Sequence, residues 1–215
     1  MPTAPFLPLK FGRSAALALA GFVALALPVQ AEKADRFKPL NVEADLPGKI
    51  DLLNQFVVFN GNVVVTKGTM TIRAARIEVR ELPDGYHTAV AFGSPTQHAT
   101  FRQKRDAPDE YIAGDAERLE YDGKSDVIRF VNNASVRRLR GSETSDEISG
   151  NLVTYDSTTE VFNVSGGAAA TAANPGGRVR AVLMPKEGSA AAAEAARAAS
   201  APAQLRVAPA LGEKR

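Results

Sequence analysis

Apolar and polar residues alternate in short runs between Pro39 and Pro185, and this alternation limits the possible folds more than any other feature. Successive side chains of a β-strand point to opposite faces, so a period of two places one set on each face. No stretch in this span has the 3.6-residue period of a helix. The runs predict an all-β domain, and they include "VVVTK", "TMTIRA", "RIEVRE", "RLEYD", "DVIRF", "ASVRRL", "LVTYD" and "EVFNV".

Turn-forming residues separate these predicted strands. Pro83-Asp84-Gly85 follows "VREL", and Asp122-Gly123 follows "RLEY", where glycine would adopt the positive φ of a tight hairpin. The same hairpin accounts for "DGKS" (122–125), because Arg118 stands where a phosphate-binding loop needs its earlier glycine.

The chain also repeats itself. Three segments share a small residue followed by an alternating apolar pair: "AARIEV" (74–79), "AERLEYDGKSDVIRF" (116–130) and "GNLVTYDSTTEVFNV" (150–164). In "VVFNGNV", "RFVNNAS" and "FNVSGGA" an apolar pair leads into an Asn/Gly corner. Such units predict the stacked turns of one elongated sheet structure rather than a compact barrel.

The N-terminus has the pattern of a secretory signal peptide. Lys10 and Arg13 precede the apolar run "AALALAGFVALAL", which ends in "PVQA" at Ala31. The run is shorter than the about 20 residues that span a bilayer. We therefore expect residues 1–31 to be removed before Glu32, with an uncleaved membrane anchor as the alternative.

The rest of the chain divides by composition. Residues 32–185 are predicted to form one β-domain, and residues 186–215, which are rich in Ala, Pro and charge, a flexible tail. A short docking helix in the tail is the alternative.

Charge and cysteine content exclude several functions. Loss of Lys10 and Arg13 with the signal peptide leaves 24 basic residues against 24 acidic ones. Nucleic-acid binding requires a basic face, so we expect no nucleic-acid partner. The chain has no cysteine, which excludes thiol catalysis and cysteine metal sites.

The remaining candidates for chemistry are few. His87 and His98 are the only histidines, and a zinc site would need two further ligands. We expect them to be surface or loop residues, with neither a metal nor a cofactor. Ser142 has no histidine nearby in the sequence, so a serine hydrolase is not expected.

Carboxylates are plentiful. Asp106, Asp109 and Glu110 are interpreted as part of a solvated acidic face. A periplasmic glycan-modifying enzyme that uses two carboxylates stays open as an alternative from a different functional class.

The inward apolar face of the strands is the main functional candidate. Ordinarily such a face forms a closed core between two sheets. If the sheets stand apart along one side, the same face lines a groove that fits acyl chains. Periodicity alone does not distinguish a closed core from a groove.

Residues 54–79, "NQFVVFNGNVVVTKGTMTIRAARIEV", resemble the OstA-like family of lipopolysaccharide transport proteins. The resemblance continues through "GSPTQHATF" (93–101), "RLEYD" and "RVRAVLMP" (178–185) in the same order, whereas the Ala-rich tail and "GGAAATAANPGG" (166–177) depart from the family pattern. It implies an elongated, twisted β-jelly roll, open along one edge, whose interior holds the lipid A part of lipopolysaccharide.

The same resemblance implies a non-enzymatic periplasmic carrier that shields lipid A acyl chains and bridges an inner-membrane export complex and an outer-membrane assembly complex. The implied partners are an LptC-like inner-membrane protein at the N-terminal edge (37–45) and an LptD-like outer-membrane protein at the C-terminal edge (178–185). Head-to-tail self-association would use the same edges. An LptC-like component anchored in the inner membrane is the alternative.

Strand parity and the resemblance together predict the lipid-binding residues. Asn60-Gly61 leaves the side of Val63 open, because a hairpin and a jelly-roll corner would place it on opposite faces. Closed core packing is the alternative for each residue. The predicted set is Leu40, Val42, Phe59, Val63, Val65, Ile72, Ile77, Val79, Phe101, Leu119, Tyr121, Ile128 and Phe130.

Overall fold

The computed structural model describes residues 35–166, 177–186 and 188–200, so the predicted signal peptide lies outside the described residues. Every strand pair in this part of the chain is antiparallel. The strands are β1 (Asn41–Glu43), β2 (Leu46–Asp51), β3 (Phe56–Lys67), β4 (Met70–Glu81), β5 (His87–Phe92), β6 (Ala99–Lys104), β7 (Glu110–Ala116), β8 (Arg118–Asp122), β9 (Val127–Arg140), β10 (Glu143–Asp156), β11 (Val161–Ser165) and β12 (Arg180–Leu183), and they are followed by helix α1 (Ala190–Ser200).

The strands form one hydrogen-bonded sheet that folds onto itself into two halves. Sheet I has the order β2, β3, β4, β5, β8, β9, β10, β11, and sheet II has the order β1, β3, β4, β6, β7, β9, β10, β12. The four long strands β3, β4, β9 and β10 therefore belong to both halves. This arrangement confirms the predicted all-β jelly roll.

Bulges allow the long strands to pass from one half to the other. The pairing of β3 with β4 shifts between Asn60 and Val63, and the pairing of β9 with β10 shifts between Gly150 and Leu152. Two of the Asn/Gly corners seen in the sequence thus lie inside long strands. Phe59 and Val63 are four residues apart on β3 and both face inward, whereas their partners on β4, Ile77 and Ala74, face inward at a spacing of three. The extra residue of the β3 bulge accounts for this difference, and the structure settles the parity that the sequence left open.

The long strands pass from one half to the other along one side of the molecule, and we use the term seam for that side. Glu117, between β7 and β8, holds several strands together there. Its backbone carbonyl accepts a hydrogen bond from the Gly93 amide at 2.8 Å, and its amide donates to the Asn132 carbonyl at 3.1 Å. Its carboxylate also accepts hydrogen bonds from the side chains of Asn132 and Asn133.

The core lies between the two halves and is wedge-shaped. Small side chains occupy the inward positions at the seam, where the strands cross. Larger ones, such as Ile77 and Phe130, lie farther from it, and both kinds are buried. The small seam residues are Ala74, Ala91, Ala99, Ala116 and Ala134.

Two turn predictions have different outcomes. Gly85 has a φ of 81°, as expected for the turn after β4. The hairpin between β8 and β9 is confirmed, but the positive φ that was expected at Gly123 occurs at Asp126 instead (55°). The loop is longer than the tight turn expected, since Asp122 pairs with Val127.

Helix α1 accounts for most of the described part of the Ala-rich tail. It has no buried residue. In the part of the chain that the structure describes, no helix has the length and apolar content needed to cross a membrane.

The bulge in β9 generates a stability prediction. Asn132 and Asn133 have φ values of 63° and 51°, a region that asparagine tolerates and β-branched residues avoid. We expect Asn133→Val to lower the free energy of unfolding by about 1–3 kcal/mol more than Asn133→Gly does. Both variants lose the contact with Glu117, so the difference between their urea unfolding curves isolates the backbone effect. Equal losses would contradict the assignment of the bulge as the crossing point.

Candidate functional site

All the residues predicted to bind lipid lie on the inward face. Most belong to the buried core, and Leu40, Val42 and Phe59 pack against it while partly exposed. Sequence reasoning missed other inward residues, although the same alternation marks them. These are Met70, Ile112, Val136, Val153, Tyr155, Ile148, Phe162, Val164, Val57, Ala44 and Ala74, together with the small residues of β5, β6, β7 and β9.

The middle of the interior is filled. The rings of Phe101 from sheet II and Phe130 from sheet I meet edge to face, with centroids 5.7 Å apart. Gly114 makes room for this contact, because a Cβ there would lie 2.6 Å from the Phe130 ring. An acyl chain can therefore enter this region only if the two sheets move apart.

A cavity of about 240 Å³ opens toward the C-terminal end of the interior. Its apolar wall is formed by Val136, Ile148, Phe162 and Leu183. Charged side chains form the rim, and they are Arg105, Arg138, Asp146 and Glu160. The volume is below the about 300–1,000 Å³ of small-molecule sites, so the cavity as it stands holds only part of a fatty tail.

The side opposite the seam is called the mouth. The hairpin tips of sheet I face those of sheet II there, and no strand pair among the described residues joins them. The inward positions change from apolar to polar as the strands reach the mouth. Lys67, Gln103 and Glu110 take these positions in sheet II, and Tyr121 and Asp126 take them in sheet I, all of them buried.

The first polar bridge across the mouth joins Lys67 to Tyr121 and Asp126. Lys67 Nζ donates to the Tyr121 hydroxyl at 2.9 Å, and this hydroxyl donates to Asp126 Oδ1 at 2.9 Å. Burial lowers the pKa of Lys67. It raises the pKa of Asp126, and burial together with the nearby Asp126 charge raises the pKa of Tyr121. The bridge therefore holds two charged groups in a poorly solvated position.

A second polar bridge lies nearer the C-terminal end. Arg105, which follows β6 in sheet II, forms an ion pair with Glu160 at a tip of sheet I. Arg105 also pairs with Glu110 at 2.9 Å, and Arg140 pairs with the other oxygen of Glu110 at 3.0 Å. Glu110 is only 8% exposed, so its assignment to a solvated acidic face was wrong. Sequence position could not show that two arginines converge on it.

Asp35 and Arg36 cross the mouth beside the first bridge. The Asp35 carboxylate accepts hydrogen bonds from Thr69 Oγ1 and Gln103 Nε2, both on the side of sheet II. Arg36 donates to the Lys124 carbonyl on the side of sheet I. Because Asp35 is only 4% exposed, this segment covers part of the mouth.

A repeated turn supplies the acidic side of both bridges. In "DGKSD" (122–126) and "DSTTE" (156–160), the first aspartate accepts hydrogen bonds from two backbone amides of the turn. The fifth residue has a positive φ, 55° at Asp126 and 57° at Glu160, and carries the carboxylate. The spacing D-x-x-x-[D/E] is a sequence signal that could have found these residues.

The two histidines do not form a metal site with other residues. His98 Nδ1 lies 3.0 Å from Asp115 Oδ2 on the outer face of sheet II, and His87 begins β5. No group of three or more His, Asp or Glu side chains suited to a metal ion occurs within residues 35–166, 177–186 and 188–200.

Large apolar side chains are exposed at both ends of the stack. At the N-terminal end, Phe37, Ile50 and Leu53 are exposed, the last by 92%. At the C-terminal end, Leu183 is 72% exposed, and Met184 is also exposed. The outer strands there are β1 and β2 at one end and β11 and β12 at the other.

Comparisons with known proteins agree with this architecture. The profile of the family described as LptA/(LptD N-terminal domain) LPS transport protein matches residues 41–161. The lipopolysaccharide export system protein LptA of Haemophilus influenzae is 29% identical over 174 residues, which cover 80% of this chain and 91% of that protein. LptA of Escherichia coli K12 is 29% identical over 134 residues, or 59% of this chain and 66% of that protein.

A solved structure shows the same fold. It is LptH of Pseudomonas aeruginosa, described as the LptA homologous periplasmic component of the conserved lipopolysaccharide transport device. The two share a TM-score of 0.60 and 20% identity, with coverage of 70% of this chain and 99% of that chain.

The Asp35 contact generates a prediction with a matched control. Gly68 and Gly141 end two hairpins of sheet II with φ values of 59° and 60°. A Cβ at Gly68 would overlap the Asp35 carboxylate, whereas a Cβ at Gly141 meets nothing within 4 Å. The free energy of unfolding should fall by about 1–2 kcal/mol in both alanine variants, because alanine is strained in the left-handed backbone conformation. In Gly68→Ala this free energy should fall by on the order of 1 kcal/mol more, because the added methyl group displaces the Asp35 carboxylate. Urea unfolding measures the difference.

The same pair repeated in an Asp35→Ala background provides the check. There the extra loss from Gly68→Ala should disappear, because the carboxylate that the added methyl group would displace is absent. A difference that persists without Asp35 would show that the N-terminal segment does not lie on this hairpin.

Proposed function

The chain belongs to the LptA/LptD N-terminal-domain family of lipopolysaccharide transport proteins, and on this premise we propose that it carries lipopolysaccharide through the periplasm with the acyl chains held between sheets I and II. The observation that carries the proposal is the inward apolar face that the two sheets share, with core residues on β1 and on every strand from β3 to β11. The predicted lipid-binding residues are part of that face and remain a prediction.

The hydrophobic effect explains why such a carrier is needed. Each methylene exposed to water costs about 0.8 kcal/mol, so one 14-carbon chain costs on the order of 10 kcal/mol. Lipid A has several such chains, and free passage through water is therefore prevented. An apolar trough removes most of this cost, provided that the lipid remains able to move onward.

The construction of the mouth fits this requirement. On the seam side, backbone hydrogen bonds along the long strands join the two sheets. Among the described residues, side-chain contacts join them on the mouth side: Lys67 with Tyr121 and Asp126, Arg105 with Glu160, and the Asp35-Arg36 segment, which bonds to both sheets. Side-chain contacts exchange partners without unfolding the sheets, so the sheets can separate at the mouth while the seam holds. Entry from the C-terminal cavity would begin this separation.

We propose that the two ends of the stack bind other β-domains. Within the described residues, the outer strands have no pairing partner along one edge, which favours addition of a further strand. Exposed apolar side chains such as Leu53 and Leu183 lie beside these edges. An LptC-like protein would bind the N-terminal edge, an LptD-like protein the C-terminal edge, and copies of this chain would join head to tail. The chain itself would perform no catalytic step, so the force that moves the lipid would come from another protein.

Photo-cross-linking tests whether the interior between sheets I and II binds the lipid. Phe162 lines the C-terminal cavity, whereas its neighbour Asn163 points out of sheet I and is exposed. Benzoylphenylalanine at position 162 should cross-link to lipopolysaccharide in cells, detected as a slower band on immunoblots, at least about tenfold more strongly than at position 163. Equal labelling at the two positions would count against an interior binding site.

Self-association gives a separate prediction. Leu183→Asp places a charge on the exposed C-terminal edge, where burying it against a second copy would be unfavourable. The protein concentration needed for half-association in sedimentation velocity should rise at least about tenfold. Arg129→Asp, on the outer face of β9, serves as the control and should leave association unchanged. An unchanged association constant for Leu183→Asp would argue against the C-terminal edge.

A further inference from the structure

If the fatty tails lie between the sheets, the headgroup of the lipid must lie at the mouth, because its polar groups cannot enter the apolar interior. A phosphorylated headgroup carries negative charge and requires cationic partners there. The described residues place Lys67 and Arg105 at inward positions of sheet II beside the mouth.

Both cations already have acidic partners from the opposite sheet. Lys67 reaches Asp126 through the Tyr121 hydroxyl, and Arg105 pairs with Glu160. In each case the cation belongs to sheet II and the acid belongs to the repeated turn of sheet I. The same two contacts thus satisfy the cations and, together with the Asp35-Arg36 segment, hold the mouth closed.

We propose that Lys67 and Arg105 form a binding site for the phosphate groups of the lipid headgroup, which displace Asp126 and Glu160. This inference rests on the proposed carrier function and adds to it a headgroup site coupled to opening. Exchange of a carboxylate of sheet I for a phosphate of the ligand removes these two links between the sheets and leaves the contacts of Asp35 and Arg36 in place. Headgroup binding is thereby coupled to opening of the mouth.

The chemistry favours the exchange. A phosphate monoester carries about −1.5 to −2 charge near neutral pH and three acceptor oxygens, against one charge and two oxygens for a carboxylate. The arginine guanidinium binds phosphate with two parallel hydrogen bonds, and a lysine ammonium acts as a point charge. Without ligand, the carboxylates keep both cations neutralised, so the mouth closes again after release.

The test compares the affinities for lipid A with and without its phosphate groups. The purified mature protein is titrated with fluorescent bisphosphorylated lipid A and with the chemically dephosphorylated lipid. Lys67→Met and Arg105→Met should each weaken binding of the phosphorylated lipid roughly tenfold and leave the dephosphorylated lipid within about twofold. Arg129→Met, which removes a cation from the outer face of sheet I, should change neither affinity.

Substitution of the two acidic residues should change the affinity for phosphorylated lipid A in the opposite direction. Asp126→Asn and Glu160→Gln remove the competing charge, so each should tighten binding of the phosphorylated lipid by about threefold or more relative to the dephosphorylated one. Asparagine tolerates the φ of 55° at position 126 and still accepts the Tyr121 hydrogen bond. A merely structural role of the bridges would make the lysine and aspartate variants change affinity in the same direction, and that result would overturn the proposal.

Two further outcomes separate this inference from the proposed function. If the unaltered protein binds both lipids with equal affinity and Lys67→Met has no effect, the headgroup site is wrong while the carrier function stands. If it binds neither lipid, the carrier function fails. Inorganic phosphate alone is the third probe, and binding as tight as that of lipid A would show a site for free anions rather than for a headgroup.

Discussion

Backbone hydrogen bonds that continue through the bends of β3, β4, β9 and β10 are the constraint on which the rest of the structure depends. Each of these strands belongs to both sheets, so the sheets are joined covalently and by pairing along the whole seam. The bulges at Asn60 to Val63 and at Asn132 and Asn133 make the bend possible without loss of pairing farther along the strands. A rigid seam on one side leaves the opposite side, in the part of the chain that the structure describes, joined by side-chain contacts rather than by strand pairing.

The interior varies in a regular way from that seam to the mouth. Alanines occupy the narrow end of the wedge, large aliphatic and aromatic residues fill the middle, and charged or hydroxyl groups close the wide end. The gradient matches an amphiphile with its tails inward and its headgroup at the mouth. It also explains why the polar bridges, which carry a desolvation cost at Lys67 and Asp126, occur where they do. They close the interior to water without joining the sheets through the backbone.

Two different interactions therefore share the work of holding the domain together. Strand pairing and apolar packing stabilise the seam and the middle, and they are costly to disrupt. The ion pairs at the mouth are side-chain contacts between hairpin tips, and in our proposal an ionic ligand replaces one partner of each. The proposed carrier has to hold its lipid and also release it, and this division of contacts would serve both needs.

The sequence by itself determined the strand content, the inward face and the family, because the period of two and the Asn/Gly corners are local features of the chain. Strand parity together with the family resemblance identified Ile77, Phe101 and Tyr121 as inward residues. Only the tertiary structure decided what occurs across the mouth. Glu110, predicted to be solvated, meets Arg105 and Arg140, and Lys67 meets Tyr121, at sequence separations of up to 54 residues. Such contacts depend on how two distant hairpin tips face each other, which the local pattern of a strand does not encode.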